Sequence, residues 1–209
     1  QAQTIVFSAF VVAAGITAAQ VSFQRELDGD LTILWNDGSV RINAAFDERY
    51  AVETLRFANG TKVDLTTLQV ATLGTGGNDS LYGNREEFGS RDDTLKGLDG
   101  TDYLYGYDGD DRLDGGLGDD FVFGSLGNDT YVASKGTDVF DDGRSSSQDS
   151  ILFNSVNSVD DLEITRSGSY DMSIAWAGGT VILKNQYYSA EYQFEKIIFG
   201  DGSEMLINI

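Results

Sequence analysis

The chain has 209 residues, enough for one or two domains, and carries 34 acidic against 14 basic residues for a net charge of −20. That balance argues against nucleic acid or an anionic membrane surface as a partner and favours cations. With neither Cys nor His in the sequence, disulfides, thiolate sites, ordinary zinc sites and histidine-base catalysis are excluded.

Residues 1–14 are expected to be the end of an upstream repeat block and a linker, because Thr4-Ile5-Val6-Phe7 parallels Ser150-Ile151-Leu152-Phe153. The absent initiator Met suggests a piece of a longer protein. The apolar run from Ile5 to Ile16 is too short to span a membrane and lacks the basic flank of a signal peptide, so no membrane insertion is expected. Residues 15–69 have the pattern of a small β-rich module. Leu31, Ile33 and Trp35 alternate onto one face, Asn36-Asp37-Gly38 is a hairpin signal, and Val40 and Ile42 return. A second hairpin is predicted from Val52 to Phe57 and Lys62 to Leu65, around Asn59-Gly60.

Residues 70–153 hold the strongest pattern, a nine-residue register G-x-x-G-x-D-x-U-x in which U is large and apolar. Windows begin at Gly74, Phe88, Gly97, Gly106, Gly115, Gly124 and Ala133, with residues 83–87 inserted after the first. Their sixth positions are Asp79, Asp93, Asp102, Asp111, Asp120, Asp129 and Asp138. Each x-U-x piece is predicted to be a short strand with its U residue (Leu81, Leu95, Leu104, Leu113, Val122, Tyr131, Phe140) pointing inward. The glycine-rich six form a turn, where φ > 0 and close backbone approach favour glycine.

Two windows make one coil, so turns 18 residues apart stack: Asp102, Asp120 and Asp138 on one edge, Asp93, Asp111 and Asp129 on the other. At a strand spacing of about 4.8 Å, two carboxylates repel by roughly 3.5 kcal/mol at an effective dielectric of about 20. Residues 74–142 carry 17 acidic and 5 basic side chains, a net −12. A hard cation that takes six to eight oxygen ligands in flexible geometry, Ca²⁺, is expected between the turns, and folding and binding become one equilibrium. Fifth-position Asp92, Asp110 and Asp119 are expected to face outward, and Arg144 to Leu152 to form a degenerate final turn with Asp149 in sixth position.

Residues 154–209 repeat the first module. Shifted by 141, Arg25 meets Arg166, Ile33 meets Ile174, Trp35 meets Trp176 and Gly38 meets Gly179; shifted by 142, Tyr50 meets Tyr192, Glu53 meets Glu195 and Phe57 meets Phe199. The predicted fold is therefore all-β: a parallel β-roll, or two-sided β-solenoid, capped on both sides by homologous small β-rich modules. Trp35, Trp176, Tyr187, Tyr188 and Tyr192 suit a module core better than a sugar platform. Glu53 and Glu195 suit a structural role, such as an ion pair with Arg25 or Arg166, better than paired acid–base work. No G-x-S-x-G, H-E-x-x-H or P-loop occurs, so no catalytic residue and no enzyme activity is expected.

The windows resemble the RTX (repeats-in-toxin) calcium-binding nonapeptide family of bacterial type I secreted proteins. The flanking modules, with DGS-V-x-I and E-x-L-x-F-A-N-G-T in the first and E-K-I-I-F-G-D-G-S in the second, resemble the haemolysin-type calcium-binding related domain. The resemblance implies that each ion lies between a turn offering the carbonyls of positions two and four with its Asp, and a later turn offering those of positions one and three with its Asp. Leu98, Gly100 and Asp102 would then share an ion with Gly115, Leu117 and Asp120. Tyr107, Gly109 and Asp111 would do so with Gly124, Leu126 and Asp129, and Gly116, Gly118 and Asp120 with Ala133, Lys135 and Asp138. Further pairings set Gly89, Arg91 and Asp93 against Gly106, Asp108 and Asp111, with Arg91 in place of glycine, and Thr75, Gly77 and Asp79 against Gly97, Asp99 and Asp102. A last one sets Ser125, Gly127 and Asp129 against Arg144, Ser146 and Asp149. About three to six ions are implied.

The resemblance also implies export through the type I secretion apparatus, folding in external calcium, and a place at the cell surface or in the medium. Calcium ions, the export machinery and other domains of the same long chain are the expected partners. Three roles follow: a calcium-dependent folding and spacer module of a large secreted or surface protein, a carboxyl-terminal secretion and stabilisation module of a secreted enzyme or toxin, or a glycan-binding adhesin module.

Overall fold

A short strand with one large apolar residue at its centre is too small to stand alone, and it stacks in parallel when a copy lies one coil away. The computed structural model describes residues 21–25, 30–35, 38–42, 54–56, 60–64, 71–83, 92–143 and 148–207. Two compact units divide the chain, Gln1–Ala71 and Thr72–Ile209. Among the described residues there is no α-helix, only strands and two short 3₁₀ turns at Val159–Asp161 and Ala190–Tyr192.

In the first unit, β1 (Ser22–Arg25), β2 (Leu31–Trp35) and β3 (Gly38–Ile42) pair antiparallel, with Trp35 opposite Gly38. Leu31 and Ile33 are buried, as their alternation predicts. β4 (Thr54–Arg56) and β5 (Lys62–Asp64) form the second hairpin. The upstream repeat end at residues 1–14 and Glu53 lie outside the described residues.

The second unit begins as a two-faced parallel solenoid. β6 (Thr72–Leu73), β8 (Thr94–Asp99), β10 (Arg112–Leu117), β12 (Thr130–Val132) and β14 (Asp149–Phe153) make one face. β7 (Ser80–Tyr82), β9 (Tyr103–Asp108), β11 (Phe121–Leu126) and β13 (Thr137–Asp141) make the other. Leu95 stacks on Leu113 and Leu113 on Tyr131, while Leu104 stacks on Val122 and Val122 on Phe140, each step being one coil of 18 residues. At the start Leu81 pairs with Leu104, and at the end Tyr131 pairs with Ile151, so extra residues loop out at both places without shifting the inward face. All seven U residues are buried to 1% exposure or less, and burying each contributes about 2–3 kcal/mol.

The repeated module continues these faces. β17 (Gly179–Leu183) pairs parallel with β13, Leu183 opposite Phe140; β18 (Phe194–Phe199) pairs parallel with β14, Ile197 opposite Ile151. β15 (Glu163–Ser167) and β16 (Asp171–Trp176) on one face and β19 (Glu204–Leu206) on the other are antiparallel and terminate the stacks. Trp176 stands opposite Gly179 as Trp35 does opposite Gly38, so the duplication read from the sequence holds at the level of paired residues. The Gln186 amide, fully buried, donates to the Phe194 carbonyl and accepts from its N–H, both at 2.9 Å. Trp176 packs edge-on against Phe153 at 5.0 Å, and Tyr188 packs edge-on against Tyr170 and Tyr192.

Candidate metal centre

The turns between these strands set the sixth-position aspartates in two continuous ladders. On one edge the N–H of Asp79 donates to Asp102 Oδ1 at 2.8 Å, that of Asp102 to Asp120 Oδ1 at 2.9 Å, and that of Asp120 to Asp138 Oδ1 at 3.2 Å. On the other, Asp93 donates to Asp111 at 2.7 Å, Asp111 to Asp129 at 2.8 Å and Asp129 to Asp149 at 2.7 Å. The second ladder then passes into the repeated module, where the Asp149 N–H donates to Glu195 Oε2 at 2.7 Å. Glu195 thus has a structural role, but its partner is not the expected arginine: Arg166 donates to the Ser169 carbonyl and lies over the Tyr187 ring.

From Asp102 and Asp111 onward, one oxygen of each carboxylate accepts a ladder N–H; the other decides what the site can hold. The Oδ2 atoms of Asp102, Asp111, Asp120 and Asp129 are buried and have no hydrogen-bond partner. An orphaned carboxylate oxygen in a water-excluded place is costly, and here it faces other carboxylates. Burial first, and then the neighbouring carboxylates, push Asp111 up to about 8 and Asp120 and Asp129 up to about 7, against the pull of their backbone N–H bonds. Burial also raises Asp138, to about 6. At the ends of the run the spare oxygen is satisfied by a hydroxyl: Thr75 donates to Asp79 Oδ2 at 2.8 Å and Ser134 to Asp138 Oδ2 at 2.9 Å.

Backbone carbonyls converge on the same gaps. A methyl group on Gly116 would lie 1.9 Å from the Leu98 carbonyl oxygen, one on Gly118 1.7 Å from that of Gly100, one on Gly127 2.0 Å from that of Gly109, and one on Gly136 1.8 Å from that of Gly118. From the opposite side, a methyl on Gly97 would meet both Asp102 Oδ2 and the Gly115 carbonyl, and one on Gly106 both Asp111 Oδ2 and the Gly124 carbonyl. The carbonyls of Leu117, Leu126 and Lys135 face back as well, accepting from Gly100, Gly109 and Gly118 N–H at 2.8–3.0 Å. Second positions Leu98, Tyr107, Gly116 and Ser125 have φ between 74° and 98°, and fourth positions Gly100, Gly109, Gly118 and Gly127 between 120° and 131°. This alternation of left-handed residues aims successive carbonyls into the gap.

The structure therefore brings together three expected sets: Leu98, Gly100 and Asp102 with Gly115, Leu117 and Asp120; Tyr107, Gly109 and Asp111 with Gly124, Leu126 and Asp129; and Gly116, Gly118 and Asp120 with Lys135 and Asp138. Ala133 bonds through its N–H to the Leu152 carbonyl. Towards the start the arrangement differs. Gly77 N–H turns to the Thr75 hydroxyl rather than to the Asp99 carbonyl, although Gly97 still presents its carbonyl to Gly74.

The register assumed for the Asp93 window needs correction. Gly83 occupies its first position, bonding the Tyr105 carbonyl and facing Asp93 Oδ2 and the Gly106 carbonyl, so the insertion lies inside that turn rather than before Phe88. Gly89 and Arg91, the expected partners of Asp108, lie outside the described residues, as do Arg144 and Ser146.

Fifth positions form further hydrogen-bond ladders on both edges that the nonapeptide pattern alone does not show. Asp110 N–H donates to Asp92, Asn128 N–H to Asp110 and Thr137 N–H to Asp119, all within 2.8–2.9 Å, on the exposed rim where these aspartates were expected. Asn or Asp at positions 78, 92, 110, 119 and 128 was the available signal.

All the convergent donors are oxygens, neither Cys nor His being present, and the orphaned buried carboxylate oxygens fit a hard divalent cation of flexible coordination. Calcium, when bound, would supply the positive charge between stacked carboxylates; the residues above hold the carboxylates and carbonyls in place and exclude water. These features define a calcium-binding parallel β-roll. The family model of the RTX calcium-binding nonapeptide repeat matches residues 73–85, 89–122 and 108–140, and that of the haemolysin-type calcium binding protein related domain matches residues 30–67 and 161–208. The chain carries RTX calcium-binding repeats between two copies of that related domain. No curated protein matches the chain. Among solved structures it is similar to the extracellular lipase LipA from Serratia marcescens, at 18% identity and a TM-score of 0.26, over 85% of this chain. This chain spans 31% of the lipase's length.

Proposed function

We propose that this chain is a non-catalytic module that is unfolded where calcium is scarce and folds into a rigid spacer where calcium is abundant, within a larger secreted or cell-surface protein. The observation that carries the reading is the row of buried, unpartnered oxygens on Asp102, Asp111, Asp120 and Asp129. Without divalent ions at neutral pH, folding brings those carboxylates together either charged and mutually repelled or at the cost of taking up protons, whereas extracellular calcium sites work at about 10⁻⁴–10⁻³ M. An unfolded, strongly acidic chain suits passage through an export channel of the type I kind. The absence of Pro and Cys removes isomerisation and oxidation as slow steps afterwards. Among the described residues no helix is long and apolar enough to cross a membrane.

Small-angle X-ray scattering with and without calcium tests this. The radius of gyration is expected to be clearly larger in chelator, toward the about 49 Å of a fully unfolded chain of 209 residues, and to fall in millimolar calcium. A compact particle of the same size in chelator would refute the switch.

A further inference from the structure

We propose that Asp142 adds a third carboxylate to the calcium gap between Asp129 and Asp149, at the junction between the last turn of the roll and β18, with Glu195 as the adjoining carboxylate. The proposal rests on the calcium reading of the roll; the nonapeptide pattern supplies Asp129 and Asp149, whereas Asp142 and Glu195 lie outside it. Carboxylate oxygens of Asp129, Asp142 and Asp149 lie within 4.8 Å of one another, and all three residues are buried. Asp142 is 1% exposed and its Oδ1 has no hydrogen-bond partner, nor has Oδ2 of the fully buried Asp129 beside it.

The position of Asp142 explains why its side chain enters the gap. The Ser125 N–H donates to the Asp142 carbonyl at 3.2 Å, so Asp142 stands one coil beyond Gly124, in the first position of the final turn. In four other turns that position is Gly97, Gly106, Gly115 or Gly124, and a methyl group on any of them would lie within 2.2–2.3 Å of the turn's own aspartate Oδ2. A side chain placed there points at the ion gap, and this one ends in a carboxylate. At Gly124 the Tyr131 hydroxyl lies beside Asp129 Oδ2 and accepts the Gly124 N–H at 2.7 Å.

The charged groups that act most on Asp142 are Asp149, Asp129 and Glu195, all of one sign. Oxygen-only donors and carboxylates this close favour Ca²⁺ over Mg²⁺, which demands stricter octahedral geometry and keeps its waters. Because Glu195 belongs to β18 and bonds Asp149, an ion here would tie the repeated module to the roll.

The test is a count of bound calcium ions by equilibrium dialysis on the full chain, comparing wild type with Asp142→Asn and Asp142→Gly. Asp142→Gly installs the residue that the other turns carry, so it is expected to keep the roll folded. Both variants are expected to bind one ion at least about tenfold more weakly than wild type, so that the count is one lower at subsaturating calcium, and to show faster amide hydrogen exchange in β18 there. Ion counts and β18 exchange equal to wild type in both variants would overturn the site and leave Asp142 as a buried acid bonded to Asp149. A wild-type chain that binds no calcium would instead overturn the reading of the whole roll.

Discussion

Between Thr94 and Asp141 the strands run parallel, each adding one large apolar residue to the interior, and the turns stack carboxylates at the edges. Between Glu163 and Leu206 the same two faces are finished by antiparallel hairpins in which Met172, Ile174, Val181, Leu183, Phe194, Ile197 and Phe199 are buried. The module's polar groups are answered by protein: Lys184 pairs with Asp171 at 2.5 Å, and Gln186 closes on Phe194. In the roll's turns, among the described residues, five buried carboxylate oxygens, on Asp102, Asp111, Asp120, Asp129 and Asp142, have no hydrogen-bond partner in the protein. Two regions of one sheet pair thus solve burial differently. The module can be held by its own side chains, while the roll leaves its charge to be neutralised from solution and so makes its stability conditional.

That contrast predicts a graded set of effects. The largest is removal of calcium: amides of β8 to β13 are expected to lose protection in hydrogen-exchange mass spectrometry, whereas β16, with an antiparallel partner on each side, retains more. Equal loss in both would erase the distinction. Next comes Asp120→Asn, which keeps an acceptor for the Asp102 N–H but removes charge from two neighbouring gaps. It should lower stability in saturating calcium by about 3–5 kcal/mol in urea unfolding. Asp171→Asn in the module is expected to cost no more than about 1 kcal/mol.

Gly118→Ala follows. At φ 131° its new methyl would lie 1.7 Å from the Gly100 carbonyl, and a loss of about 2–3 kcal/mol is expected. Gly168→Ala, at φ 68° with open space around it, should cost about 1 kcal/mol. A smaller effect is that of pH in chelator. The folded roll holds Asp111 near 8, Asp120 and Asp129 near 7 and Asp138 near 6, all raised above the ordinary value of 3.8. Raised groups bind protons on folding, so their contribution is complete below pH 3.8 and is lost as pH rises through about 6 to 8. Thermal melts in chelator should therefore show a folding transition at pH 4.5 that is weaker or absent at pH 8; an unchanged or reversed order would contradict the buried columns. The smallest change is Asp119→Asn on the exposed rim, expected within about 0.5 kcal/mol, since Asn128 already fills the equivalent position on the opposite edge by accepting the Gln148 N–H.

The roll was legible in the sequence because its physics repeats at a fixed period: only glycine tolerates the close carbonyls, and only a short acid reaches back to the preceding turn's N–H. The duplication was legible for a similar reason, since Trp35–Gly38 and Trp176–Gly179 mark the same hairpin corner. What escaped were positions where the period breaks. Gly83 was counted as insertion because five extra residues separate it from Asp93, and a register read backwards from the aspartate cannot see them. Asp142 sits where the pattern expects glycine, so a ligand-bearing side chain there had no template. Glu195 belongs to another module, and only the pairing of β14 with β18 brings it to the end of the aspartate ladder.

Far-UV circular dichroism during a calcium titration of chelator-treated protein at pH 7.5 bears most directly on the claim that coil and ions form together. The spectrum is expected to pass cooperatively from coil to sheet as calcium is added, with magnesium at the same concentration giving little change. A sheet spectrum already complete in excess chelator would contradict it.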